Sequence, residues 1–220
     1  WYECEFAESN KRAVAEELII RTGITGEVTP SHAPVVISVD PGLNRNPTGV
    51  VVARLGSFGI DVLRAEYWYG PTENDPATAQ GWIGAQLEQV DSLASQHLAS
   101  HIICDYSNLA AGLGDALEER FGSMVWKTPT TRDRIQRRWG LLLAALMDGR
   151  LSIPAECEDL RDDLRRFEID EGGSASRKIE EAGKLILPET PADNGTHVLH
   201  CDIGAALLQC SDFVFTDVGD

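Results

Sequence analysis

Two short runs constrain this chain more than anything else in it. Val35-Val36-Ile37-Ser38-Val39-Asp40 and His101-Ile102-Ile103-Cys104-Asp105 are apolar, of buried-strand length, and each ends in an aspartate. Runs with apolar residues at consecutive positions fit strands covered on both faces, the condition of a sheet sandwiched between helices. The remaining pattern fills in such a sheet. After Pro41-Gly42, Thr48 to Arg54 and Ile60 to Tyr69 read as two more strands, joined by the turn Gly56-Ser57-Phe58-Gly59. Asp75-Pro76 opens a helix on which Ala79, Trp82, Ile83, Leu87, Val90 and Leu98 recur at helical spacing. A second helix follows over 109–121, then a short strand from Met124 to Lys127. Thr131 to Asp148 carries Ile135, Trp139, Leu142, Leu143 and Leu146 on one face and stops at Gly149. Leu160, Leu164 and Phe167 mark another helix, laced by Asp162 with Arg165 and Arg166. Arg177 to Leu187 reads as a hairpin or irregular loop, and His200 to Phe213 as a closing helix. The expected fold class is α/β, with three antiparallel strands followed by parallel ones and helices on both faces.

Residues 1–34 read as a lead-in and linker, with one short apolar stretch at Leu18-Ile19-Ile20 and a Gly-, Thr- and Pro-rich connector from Gly23 to Pro34. The folded domain is expected over 35–220. The chain opens on Trp1 without the leader pattern of secretion, as a segment cut from a longer chain does. No run of about 18 apolar residues is present to span a membrane. The five cysteines, at 4, 104, 157, 201 and 210, include no C-x-x-C pair and fit buried free thiols in a reducing compartment.

Asp40 and Asp105 each end a buried strand, where open α/β sheets collect their ligands. Asp202 begins the last helix and is followed by Gly204-Ala205-Ala206, small residues that let the helix lie close on the sheet. Three converging carboxylates repel, and divalent cations relieve the repulsion; oxygen-only ligation favours Mg²⁺ or Mn²⁺. Two such ions about 3.5–4 Å apart suit phosphodiester hydrolysis. The same aspartates also have ordinary readings, as a turn residue before Pro-Gly, a strand terminus and an N-cap.

Thirty-five acidic against nineteen basic residues give a net charge of −16, so a polyanionic partner must be met locally. Lys127, Arg132, Arg134, Arg137 and Arg138 lie within twelve residues of one another with a single acid, Asp133, among them. They are candidate contacts to a DNA backbone at a helix N-terminus, or else a solvated helix face. Arg177, Lys178 and, less directly, Lys184 are further candidates. His197, His200 and Cys201 lack the paired spacing and fourth ligand of a zinc site. No G-x-S-x-G elbow is present for covalent hydrolase chemistry.

Ile37-Ser38-Val39-Asp40-Pro41-Gly42 with Thr48-Gly49-Val50 resembles the first-strand motif of the ribonuclease H-like nucleases. Ile102-Ile103-Cys104-Asp105 resembles their second acidic strand. His200-Cys201-Asp202-Ile203-Gly204-Ala205-Ala206-Leu207 is similar to the closing "H-D-D…D-A-L-A" helix of tailed-phage large terminase subunits. Leu151-Ser152-Ile153-Pro154 and the opening Tyr2-Glu3-Cys4-Glu5-Phe6 are similar to that family too. The resemblance implies a ribonuclease H-like nuclease domain that cuts concatemeric double-stranded DNA. It also implies Asp40, Asp105 and Asp202 as catalytic metal ligands for two Mg²⁺ or Mn²⁺ ions. Implied partners are the packaging ATPase domain of the same full-length chain, a portal and a small terminase subunit, in the host cytoplasm and away from membranes. Cys201 departs from the family, which often carries a second aspartate there. No G-x-x-x-x-G-K-[ST] loop is present, so the expected piece is the nuclease half alone. Asp-Pro-Gly followed by Thr-Gly also resembles Holliday-junction resolvases, usually basic dimers, and a non-catalytic docking domain of the same fold is a third reading.

Overall fold

The computed structural model describes residues 12–42, 46–57, 59–71, 76–107, 111–170, 184–192 and 196–216. Its centre is a six-stranded sheet built from β1 (Val35–Asp40), β2 (Thr48–Leu55), β3 (Ile60–Trp68), β4 (His101–Asp105), β5 (Val125–Thr128) and β6 (Leu151–Ser152), in the order β5-β4-β1-β2-β3-β6. Strands β1, β2 and β3 are antiparallel, β4 and β5 are parallel to β1, and the two-residue β6 is parallel to β3. This is the mixed sheet expected from the sequence, with β6 added at the edge. Phe58, at the β2–β3 turn, and Asp75, before the first long helix, lie outside the described residues.

The helices are α1 (Glu16–Ile24), α2 (Pro76–His97), α3 (Ala111–Phe121), α4 (Arg132–Met147), α5 (Glu158–Arg166) and α6 (Asp202–Thr216). Helix α4 has the caps its sequence advertises. Thr131 accepts from the Arg134 N–H, and Gly149 follows in left-handed backbone at φ 67°. Alternation along β1 divides the interior in two. Ile37 and Val39 join Val50, Val52, Ile102 and Cys104 under α2 and α3. Val36 belongs to the other core, with Val51, Ile103, Trp139, Leu142, Phe167 and Leu207, under α4, α5 and α6. The strands are buried on both faces, which is why they read as continuous apolar runs.

The structure departs from the sequence reading at the lead-in. Within the lead-in expected over 1–34, Val14 and Ile19 are buried in the second core, and Arg21 of α1 donates to the carbonyls of Leu146 and Met147 at the end of α4. The connector is held by buried Asp61, which accepts from the backbone N–H of Val28 at 2.8 Å and of Thr29 at 2.9 Å. One short apolar stretch is enough because a finished core receives it. Beyond α5, β7 (Glu168–Asp170) pairs antiparallel with β8 (Lys184–Ile186), the arms of the expected hairpin. Arg177 and Lys178 lie outside the described residues, as does Cys4. A second small pair, β9 (Thr190–Pro191) with β10 (Val198–Leu199), leads into α6. The four described cysteines are free and buried, and among the described residues no helix is long and apolar enough to cross a membrane.

Candidate active site

Register and parity bring two of the three carboxylates together. The parallel pairing of β1 with β4 runs through Val39↔Cys104, so Asp40 and Asp105 are the next residues on neighbouring strands. Both share the parity of Val36, Ser38 and Ile103, the face covered by α6. Ser38 Oγ reaches Gln209 of α6 at 3.3 Å on that face. The third carboxylate is brought in by a glycine. Asp40 pairs with Gly49 across β1 and β2, and a Cβ on Gly49 would stand 2.1 Å from the Asp202 carbonyl carbon. Only an empty side-chain position lets the backbone at Asp202 rest on the sheet beside Asp40.

The turn after β1 is pinned by Thr48, whose hydroxyl accepts from the Gly42 N–H at 3.0 Å and lies 2.7 Å from Gln86 Oε1 of α2. The indole N–H of Trp82 donates to Gly42 O at 3.3 Å. Asp105 Oδ1 accepts from Thr130 N and from Ser107 Oγ, both at 2.8 Å, and Asp202 Oδ2 from His200 N at 3.1 Å. No such donor among the described residues reaches Asp40. Burial, then the charges of Asp202 and Asp105, raise its carboxyl well above the ordinary value. Burial pushes the Asp202 carboxyl up to about 7, with Asp163 adding to the rise against the His200 N–H. Both shifts disfavour the ionised carboxylates in the metal-free chain.

Among the described residues no group of three His, Cys, Asp or Glu side chains forms a ready-made metal cage. The donor set nonetheless fits a hard divalent cation. It is all oxygen, concentrated at strand ends, and electrostatically strained by its own charges. The zinc alternative does not fit. His197 Nε2 lies 2.9 Å from Gly70 O, His200 Nε2 3.1 Å from Asn46 Oδ1, and Cys201 Sγ 3.7 Å from Pro188 O.

The basic segment divides. Arg132, Arg134 and Arg137 are exposed on α4; Arg134 Nη1 donates to Thr128 Oγ1 at 2.8 Å, and Arg137 stands 3.9 Å from Asp212. Lys127 is engaged by Asp115 at 3.0 Å and Glu118 at 2.6 Å, and lies over the Tyr106 ring. Arg138, expected at a DNA backbone, is instead buried, donating to Thr128 Oγ1 at 2.6 Å and facing Asp212 at 3.4 Å. It sits on the helix face of Trp139 and Leu142, and its charge acts inward, lowering the Asp40 carboxyl against the larger upward pull. Lys184 opens β8, away from the central sheet.

Two residues here escaped the sequence reading. Gly49 had a signal: a glycine inside a buried strand marks a close backbone approach. Asp163 of α5 had one too, an acid between Leu160, Leu164 and Phe167 on an apolar face. It is fully buried and bonds Tyr67 Oη at 2.5 Å and Gly204 N at 2.9 Å. Burial pushes its carboxyl up to about 6 against those hydrogen bonds. Gly204 makes room on the side of α5, since a Cβ there would stand 2.7 Å from the Phe167 ring and 3.4 Å from Asp163 Cβ.

No family model matches the chain, and no curated protein matches it in sequence. Solved structures share its fold. The large terminase nuclease from thermophilic phage G20c with bound cobalt is 16% identical, with 83% of each chain covered and a TM-score of 0.56; that nuclease is also known with bound magnesium. The HK97 bacteriophage large terminase is 12% identical over 91% of this chain and 43% of that one, at 0.59. The large terminase from a second thermophilic bacteriophage is 17% identical over 89% and 42%, at 0.56. The chain thus spans less than half the length of the two larger proteins. The fold is the ribonuclease H-like fold of the terminase nucleases, with its mixed sheet between helices.

Proposed function

We propose that this chain is a divalent-metal-dependent endonuclease domain of a viral genome-packaging terminase, cutting concatemeric double-stranded DNA. What supports the reading is the adjacency of Asp40 and Asp105 at the ends of neighbouring strands and the seating of the Asp202 backbone on Gly49 beside them, with the Asp40 carboxyl raised first by burial and then by the charges of Asp202 and Asp105. Asp40, Asp105 and Asp202 would hold the Mg²⁺ or Mn²⁺ ions, two being expected, and the metal would supply an activated water and charge stabilisation at the leaving phosphodiester oxygen. Asp105 is oriented for this by Thr130 N and Ser107 Oγ, and Asp202 by His200 N. Arg132, Arg134 and Arg137 contact the DNA backbone. The bound magnesium and cobalt of the similar nuclease are in keeping with this cofactor class.

A chain of net charge −16 binds a polyanion weakly by itself. Attachment to a packaging ATPase raises the effective DNA concentration at the nuclease without new contacts. The working context is therefore the full-length large subunit with its ATPase domain, a portal and a small subunit, in the host cytoplasm. The two longer proteins of similar fold are large terminases.

The test is plasmid cleavage by the 220-residue chain with Mn²⁺, Mg²⁺ or EDTA, beside the Asp40→Asn and Asp202→Asn variants. Metal-dependent nicking and linearisation that both variants lose is the expected result. Cleavage that survives either substitution refutes the site. A preference for four-way junctions over linear duplex would point to a resolvase, and absent cleavage with absent Mn²⁺ binding to a docking domain.

A further inference from the structure

Among the described residues, no side chain at the N-cap position of helix α6, which carries Asp202, accepts from the helix's first turn. The residue before it is Cys201, in left-handed backbone at φ 56°, with its sulfur directed to Pro188 O. A thiol accepts hydrogen bonds poorly, and the amide three positions in, that of Gly204, is buried. The missing acceptor comes from another helix. Asp163 Oδ2 of α5 takes the Gly204 N–H at 2.9 Å, while Oδ1 takes the Tyr67 hydroxyl of β3 at 2.5 Å. Arg166 Nη1 stands 3.5 Å from the same carboxylate. One fully shielded side chain thus ties the first turn of α6 to α5 and to the sheet.

We propose that Asp163 is the positioning residue for Asp202: it caps α6 from outside and fixes the helix start over Gly49, without being a metal ligand itself. The inference rests on the proposed metal-binding role of Asp202. The arrangement has little slack. Gly49 contacts the Asp202 backbone on one side, and Gly204 meets the Phe167 ring and Asp163 Cβ on the other. The Asp163 bond sets the angle of the helix between these two contacts.

Asp163→Asn and Asp163→Ala separate positioning from ligation. Asparagine keeps a carbonyl oxygen for Gly204 and an amide for the Tyr67 hydroxyl but loses the charge. Mn²⁺ affinity, read by calorimetry on the 220-residue chain, should fall about tenfold or more in Asp163→Ala, as for residues that orient metal ligands. In Asp163→Asn it should stay within about threefold, the scale of one altered hydrogen bond. Equal losses in both variants would make Asp163 a ligand and overturn the proposal, as would wild-type affinity in a folded Asp163→Ala. If Asp163→Ala does not fold, Tyr67→Phe removes one bond that orients the carboxylate; a severalfold weaker Mn²⁺ affinity supports the proposal, and an unchanged one refutes it. If the unaltered chain binds no Mn²⁺, the metal reading itself fails, and amide exchange decides the capping. Faster exchange at Gly204 in Tyr67→Phe supports it, and unchanged protection overturns it.

Discussion

Replacing Asp202 by asparagine should stabilise the metal-free domain at alkaline pH while destroying its site. Burial, followed by the charge of Asp163, raises the Asp202 carboxyl from 3.8 to about 7 in the folded chain. A carboxyl raised on folding contributes stability that is full below its unfolded value and lost as pH climbs through its folded one. With a tenfold change in proton affinity equal to about 1.36 kcal/mol, the raised Asp202 carboxyl costs the fold on the order of 4 kcal/mol at pH 8, where it ionises, and on the order of 2 kcal/mol at pH 5, where the folded chain keeps a proton that the unfolded chain has released. The substitution removes that cost but weakens the bond from the His200 N–H and buries an amide, together about 1–2 kcal/mol. The expected net gain is about 2–3 kcal/mol at pH 8 and near zero at pH 5. Urea unfolding of both proteins in EDTA at the two pH values measures it. Adding Mn²⁺ at pH 8 should then raise the stability of the unaltered chain and leave Asp202→Asn where it was. A variant no more stable than its parent at pH 8, or one with the same gain at pH 5, would refute the claim that the fold buries the Asp202 carboxyl at a cost to its ionised form.

Gly49→Ala should cost about 3 kcal/mol in thermal or urea unfolding, because the added carbon meets backbone that cannot turn aside; Mn²⁺ affinity should fall with it. Arg138→Met should cost about 3–5 kcal/mol by removing one partner of the buried Asp212, a loss visible as a lowered urea midpoint. Arg134→Ala with Arg137→Ala should leave the urea midpoint nearly unchanged and lower the salt slope of DNA binding by about two; an unchanged slope would make the exposed face of α4 ordinary surface.

The strands and the end of α4 were legible because each rests on local chemistry: runs of β-branched residues and a glycine after the last apolar position of a helix. Asp40 and Asp105 were legible as a pair because both end strands of buried type, and parity did the rest. Arg138 was misjudged by counting charge without direction. It lies three residues after Ile135 and four before Leu142, on the apolar stripe, and a guanidinium there has to find its partners inside. Asp163 carried the same mark beside Leu160 and Leu164. What the pattern lacks is the partner, because Tyr67 and Gly204 are distant in sequence and only the packed fold brings them to one carboxylate. The packing of α1 against the domain is hard to read from the sequence for a related reason. A helix with few apolar residues looks unsupported until the groove between α4 and α5 that receives it exists.

The seating of Asp202 on Gly49 also has a meaning in time. Asp40 and Asp202 are 202 − 40 = 162 residues apart in the chain, and the contact joining them can form only after α6 has been made. Domains assemble as synthesis proceeds, and contacts between remote segments close last. A nascent chain can therefore complete most of the sheet, with Asp40 and Asp105 side by side, while the set of carboxylates is still one short. The site proposed for the metal ions is therefore completed only when α6 docks on the sheet, in the same step that closes the second core.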